Sequence, residues 1–151
     1  MLNIASSELQ PLQPIFSKLV DQYQADAANA TLSLRFVPTS STVFTDAFLL
    51  DRILSNLLSN AIRNTRSGGV LLGCRRLHDG IRIDVVDTGP GLPHEIHQRI
   101  LNGRLGSAIA DGSGTVQLGL IIVLRTAEEL GCSIDMATRA GKGTRFSVII
   151  R

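Results

Sequence analysis

The sequence contains no tryptophan and a single tyrosine, and aromatic residues make up 4% of its 151 positions. Its 15 lysines and arginines stand against 13 acidic residues for a formal charge of +2, and the cations are scattered with no run longer than two. A nucleic-acid platform needs a basic stripe and stacking rings, so nucleic acid is not an expected partner. Cys74 and Cys132 are too few and too far apart for a disulfide framework or a four-ligand zinc site; both sit in apolar stretches and read as core thiols. Long hydrophobic runs are missing too. The longest, Val43 to Leu54 and Gln117 to Leu124, stop well short of the ~20 apolar residues of a membrane span. The first residues lack a basic segment followed by an apolar stretch and a small-residue cleavage site. The expectation is a cytoplasmic domain with no direct membrane contact.

What is present is a 44% hydrophobic chain of the size that buries one continuous core, read as a single domain over residues 1–151. After a short extended piece at Leu2 to Ile4, helical spacing of Leu12, Phe16, Leu19, Val20 and Tyr23 predicts a helix from about Glu8 to Ala28, with Pro11 and Pro14 blurring its start. Alternation over Thr31 to Val37 predicts a half-buried strand ended by Pro38. Asp46 is placed to cap a helix whose Leu50, Ile53, Leu54, Leu57, Leu58, Ala61 and Ile62 form an unbroken apolar stripe. Val70 to Leu77 and Ile81 to Val86 read as an antiparallel hairpin joined through His78-Asp79-Gly80, whose Asp-Gly pair is a hairpin signal. A helix from Leu118 to Leu130, stopped by Gly131, precedes strands at Ser133 to Ala137 and Arg145 to Ile150 across a turn at Arg139 to Gly143. This order predicts an α/β two-layer sandwich, with helices on one face of a mixed sheet.

Three clusters could carry chemistry. At about 100° per residue, Asn56, Asn60 and Arg63 fall within about 60° of one another and roughly 140° from the apolar stripe. Amide oxygens one turn apart can meet a hard cation such as Mg²⁺, and a guanidinium one turn further can reach phosphate; a solvated helix face is the plain alternative. Asp87-Thr88-Gly89-Pro90-Gly91 follows a strand directly, so its carboxylate emerges where ligands bind and can accept from an exocyclic amine such as adenine's; an ordinary turn would use the same residues. Gly112-Ser113-Gly114-Thr115, followed by Leu118-Gly119-Leu120, stands at a helix entry where backbone N–H groups attract phosphate. Other readings fail on spacing. Gln117 breaks a dinucleotide-type glycine pattern, Met136 stands where a phosphate loop ending at Gly141-Lys142 needs its first glycine, and Gln98 replaces the second histidine a zinc-protease helix would need after His94. His94 and His97 read as surface residues.

In this order, Asn56-Leu57-Leu58-Ser59-Asn60-Ala61-Ile62-Arg63, Asp87-Thr88-Gly89-Pro90-Gly91-Leu92-Pro93, Leu118-Gly119-Leu120 and Gly143-Thr144-Arg145-Phe146 strongly resemble the catalytic ATP-binding domain of sensor histidine kinases, over about Asp46 to Ile150. The resemblance implies the Bergerat fold: a mixed, mostly antiparallel sheet covered on one face by about three helices. It implies ATP and Mg²⁺ as ligands, Asn60 on the metal, Asn56 and Arg63 against the triphosphate in catalytic roles, and Asp87 on the adenine amine. Gly89 and Gly91 would shape the adenine pocket, Gly112, Gly114, Leu118 and Gly119 would approach the phosphates, and residues 92–115 would form an ATP lid. It further implies a histidine-containing dimerisation domain and a response-regulator receiver domain as partners. No phosphoacceptor helix is recognisable here, so the chain alone is expected to bind nucleotide without phosphorylating itself.

Two departures bear on that expectation. Ile100-Leu101-Asn102-Gly103-Arg104 occupies the place where the family carries a phenylalanine pair. Thr115-Val116-Gln117 precedes Leu118-Gly119-Leu120 where the family has glycines, and neither Val116 nor Gln117 can copy glycine's backbone freedom. A regulatory nucleotide-binding module of the same fold, without kinase turnover, is the open alternative. A hydrolytic ATPase of this fold falls behind, because Asn56 stands where such enzymes place a glutamate base and an amide cannot take the proton.

Overall fold

The computed structural model describes residues 7–91, 116–139 and 141–151. Leu2 to Ile4, His94, His97 and the whole 92–115 segment therefore lie outside the described residues. The elements run β1 (Glu8–Pro11), α1 (Leu12–Asn29), β2 (Ser33–Phe36), β3 (Thr42–Thr45), α2 (Ala47–Asn64), β4 (Gly69–Leu77), β5 (Gly80–Asp87), α3 (Val116–Leu130), β6 (Ser133–Arg139) and β7 (Gly143–Ile150). Strands β2-β4-β5-β7-β6 form a mixed sheet in which the β2–β4 pair is parallel and the others antiparallel. The described helices pack on it, α2 touching β4 and β5, α1 touching β2, and α3 touching α2 and β6. This is the predicted sandwich. No described helix is long and apolar enough to cross a membrane.

The first helix begins later than its periodicity suggested. Glu8–Pro11 pairs antiparallel with Thr42–Thr45 as a separate two-stranded ribbon. Pro11 is extended at φ −69, ψ 134, and the helix starts at Leu12, whose N–H donates to the Ser41 carbonyl at 3.1 Å. Pro14 costs little in the first turn, where N–H groups have no partner within the helix. Leu12, Phe16, Leu19 and Val20 then face the core, and the Phe16 ring meets Phe36 of β2 edge-on at 6.5 Å.

Both α1 and α3 end in the same double hydrogen-bond motif. Leu32 N–H reaches Ala27 O at 2.9 Å and Thr31 N–H reaches Ala28 O at 3.0 Å; in α3, Cys132 and Gly131 make the equivalent bonds to Ala127 and Glu128. The left-handed position is the predicted Gly131 in α3 (φ 76) but a threonine in α1 (Thr31, φ 59). That requirement takes Thr31 out of the strand expected to begin there, and β2 starts at Ser33.

Helix α2 follows its stripe. The Asp46 carboxylate caps it by accepting from Phe48 and Leu49 N–H at 2.9 and 3.1 Å, and Leu50, Ile53, Leu54, Leu57 and Leu58 are fully buried or nearly so. Beneath it, β5 alternates strictly. Ile81, Ile83, Val85 and Asp87 all point to the helix side, so the period that builds the core ends by placing a carboxylate under the helices.

Candidate functional site

Asp87 closes β5 with 8% of its surface exposed. Its Oδ1 accepts from Gly89 N–H at 2.9 Å and from Thr144 N–H at 3.3 Å, while Oδ2 has no hydrogen-bond partner among the described residues. Burial pushes the carboxyl above the ordinary 3.8, against the lowering pull of the Gly89 and Thr144 amides. One oxygen is thus fixed by the backbone, and the other is oriented and available as an acceptor.

The surrounding backbone is drawn in tightly. Asp87 sits opposite Thr144 in the β5–β7 register, and Gly143 beside it has φ +117; a Cβ there would lie 2.0 Å from the Asp87 carbonyl oxygen. Only glycine allows this approach. The β6–β7 turn also holds the 87–91 segment, Gly141 N–H donating to Pro90 O at 2.7 Å, with Gly91 at φ +79 against the Arg139 carbonyl. On the other side, the Thr88 hydroxyl donates to Ser67 O at 2.8 Å and accepts from Gly69 N–H at 3.0 Å.

Gly89 joins this loop to α2. A Cβ at Gly89 would meet Asn64 O at 3.0 Å and Thr65 Oγ1 at 3.3 Å, so the glycine turn rests on the C-terminal end of the helix that carries Asn60 and Arg63. The Thr65 hydroxyl is buried there without a partner among the described residues. Thr65 and the Thr144 amide are the site residues that residue-by-residue reading missed. Thr144 is visible only as part of the Gly143-Thr144 motif, and nothing in the sequence signals Thr65.

One turn back, the solvated-face alternative fails for Asn60, which is 3% exposed. The Arg63 guanidinium, itself exposed, donates to Asn60 Oδ1, while Asn60 Nδ2 is buried with no partner among the described residues. A buried amide left half-satisfied costs about 1–3 kcal/mol. The amide is pressed against α3, where a Cβ at Gly119 would sit 2.9 Å from Oδ1 and 3.0 Å from Nδ2. Gly119 is thus placed at this site by packing. Asn56, half-buried, turns its Nδ2 back to Arg52 O at 2.8 Å, leaving its carbonyl oxygen without a described partner. Gly112 and Gly114 lie outside the described residues, and of Leu118 only its place in α3 is described.

These donors and acceptors fit an adenine nucleotide with a hydrated divalent cation. The free Asp87 oxygen suits an exocyclic amine, and Asn60 and Asn56 offer the neutral oxygens a hard cation takes. A phosphate oxygen is the kind of acceptor the orphaned Asn60 Nδ2 lacks, and Arg63 supplies a phosphate-matching fork.

Comparison with known proteins identifies the family and the fold. A family model described as histidine kinase-, DNA gyrase B-, and HSP90-like ATPase matches residues 45–151. The sensor protein SrrB of Staphylococcus aureus is 30% identical over 147 residues, a match covering 95% of this chain and 25% of that protein. The chain therefore spans about a quarter of the length of this curated relative. Among solved structures, the catalytic domain of histidine kinase ThkA superposes with a TM-score of 0.78 at 21% identity, covering 95% of each chain. Full-length ShkA, solved in complex with AMPPNP, gives 0.79 at 24% identity over 99% of this chain and 31% of its own. On the strength of the family model and these relatives, the chain belongs to the histidine kinase-, DNA gyrase B-, and HSP90-like ATPases, as a catalytic-type domain of the sensor histidine kinase kind.

Proposed function

We propose that this domain binds Mg²⁺-ATP and presents the γ-phosphate to a histidine on a separate dimerisation domain, from which a response-regulator receiver domain takes it. The observation that carries the reading is Asp87, a buried carboxylate with one oxygen held by the Gly89 and Thr144 amides and the other without a partner among the described residues. Asp87 accepts the adenine amine, and Gly89 and Gly91 let the backbone lie close to the ring. Asn60 holds the metal, and Asn56 and Arg63 lie against the triphosphate. Gly119, with Leu118, Gly112 and Gly114, brings the α3 entry to the phosphates, and residues 92–115 act as the lid. When bound, Mg²⁺ neutralises charge developing on the transferred group. The protein's own contribution is positioning, since little covalent chemistry falls to it in phosphoryl transfer. Asn56 bears no basic group and is already bonded to its own helix, which favours transfer to a partner over hydrolysis. The setting is the cytoplasmic side of a longer sensor.

The test is transfer in trans: the domain, γ-labelled ATP and a separately made histidine-bearing dimerisation domain from the same parent. Acid-labile label on the histidine domain, lost when Asp87 is changed to Asn, is the expected result. Nucleotide binding without transfer would favour the second reading, a regulatory nucleotide-binding module. The observation behind that reading is Val116-Gln117, where the related motif has glycine.

A further inference from the structure

Asn60 and Arg63 are one turn apart on α2, yet their surroundings differ sharply. The Asn60 amide is 3% exposed and packed against the α3 backbone at Gly119. Arg63 is exposed, and apart from its bond to Asn60 Oδ1 its guanidinium has no partner among the described residues. Beside it a cleft of about 480 Å³, lined by Asp26, Asn29, Ser59 and Thr65, gives the side chain space to leave. Of the two partners, the arginine is the one with open space beside it. It donates to the very oxygen assigned above to the metal. A carbonyl oxygen tied up by a cationic donor is a poor metal ligand, because cation and guanidinium repel at that distance.

Resting on the Mg²⁺-ATP reading, we propose that Arg63 is a two-position residue. It occupies Asn60 Oδ1 as a stand-in cation while the site is free, and the arriving metal displaces it toward the phosphates. Metal coordination and phosphate engagement are thereby coupled through one side chain. The guanidinium becomes free to form a bidentate pair with phosphate only once the metal holds Asn60. Without Arg63 the buried carbonyl is left unsatisfied in the free state, which favours the metal-bound state correspondingly.

The test uses the side-chain amide of Asn60 and the guanidinium of Arg63 as nuclear magnetic resonance probes, in the wild type and in Arg63→Met. In the free domain, Arg63→Met should shift the Asn60 Nδ2 resonances, and the wild-type Arg63 guanidinium should show slowed rotation about its C–N bonds. Saturation with Mg²⁺-ADP should bring the Asn60 resonances of the two proteins together and change the Arg63 signals. The wild-type signals alone report the movement should the variant fold poorly. Identical Asn60 resonances in the two free proteins, or a difference that persists in the complex, overturns the proposal. Gly89 resonances separate the two levels. If they respond to Mg²⁺-ADP while Asn60 and Arg63 do not, this inference alone fails. If none responds, the nucleotide-binding reading fails, and the displacement with it.

Discussion

Replacing Gly119 with alanine sets two effects against each other at one position. Alanine is the better helix former, worth up to about 1 kcal/mol. Its Cβ, however, would lie 2.9 Å from Asn60 Oδ1 and 3.0 Å from Nδ2, where ordinary contact begins at 3.4 Å, so something must yield by roughly half an ångström. Asn60 is 3% exposed, so its displacement disturbs packed surroundings. Overpacking of this kind costs about 1–3 kcal/mol, so the net loss of stability should be about 0–2 kcal/mol by urea denaturation. Function should suffer more than folding. A displaced Asn60 or a retracted α3 misplaces the metal ligand, and Mg²⁺-ADP affinity should fall at least ~10-fold. Adenosine, which depends on Asp87, should bind as before. Calorimetry on folded wild type and variant with both ligands decides the matter. Unchanged Mg²⁺-ADP affinity would refute the placement of Asn60 in the site, and an equal loss for adenosine would show the damage to be general.

Further outcomes follow from the same geometry. Asp87→Asn should weaken adenine-nucleotide binding by about 1.5–3 kcal/mol by calorimetry, because the acceptor loses its charge. Wild-type affinity should rise with pH through the elevated Asp87 pKa. Between 3.8 and that value the native state holds a proton the unfolded chain has lost, so this group's contribution to stability falls as pH rises, and Asp87→Asn should flatten both profiles. Gly143→Ala should destabilise the domain by at least ~2 kcal/mol in urea melts, since a side chain at φ +117 would also collide with the Asp87 carbonyl. Thr31→Gly should raise stability by about 0.5–1 kcal/mol through relief of left-handed strain at the end of α1, with nucleotide affinity unchanged.

Local signals carried most of the sandwich. The stripe from Leu50 to Ile62, the Asp46 cap and the Gly131 stop are each decided within a few residues and stand where periodicity and turn chemistry put them; the β4–β5 hairpin also forms, but its two-residue loop is His78-Asp79, with Gly80 already paired to Leu77. The β1–β3 ribbon was not legible. Each strand is four residues long, one ends in proline, and their pairing depends on a contact across the whole of α1. At the site, spacing grouped Asn56, Asn60 and Arg63 on one face, but an angular position says nothing about what packs there. The approach of Gly119 buries Asn60 and leaves Arg63 exposed, a difference only the tertiary arrangement of α3 creates. The Thr144 amide likewise reaches Asp87 from 57 positions away, through a sheet register no local pattern encodes. Burial of Cys132, which pushes its thiol up to about 11, agrees with the reading of that cysteine as unreactive core.

The most direct test of the central claim is calorimetric titration of the domain with ATP and ADP, with and without Mg²⁺. Saturable binding that tightens with Mg²⁺ is the predicted result, with the adenine held through Asp87 and the metal through Asn60. Absence of heat at millimolar nucleotide, with the domain shown to be folded, would contradict it.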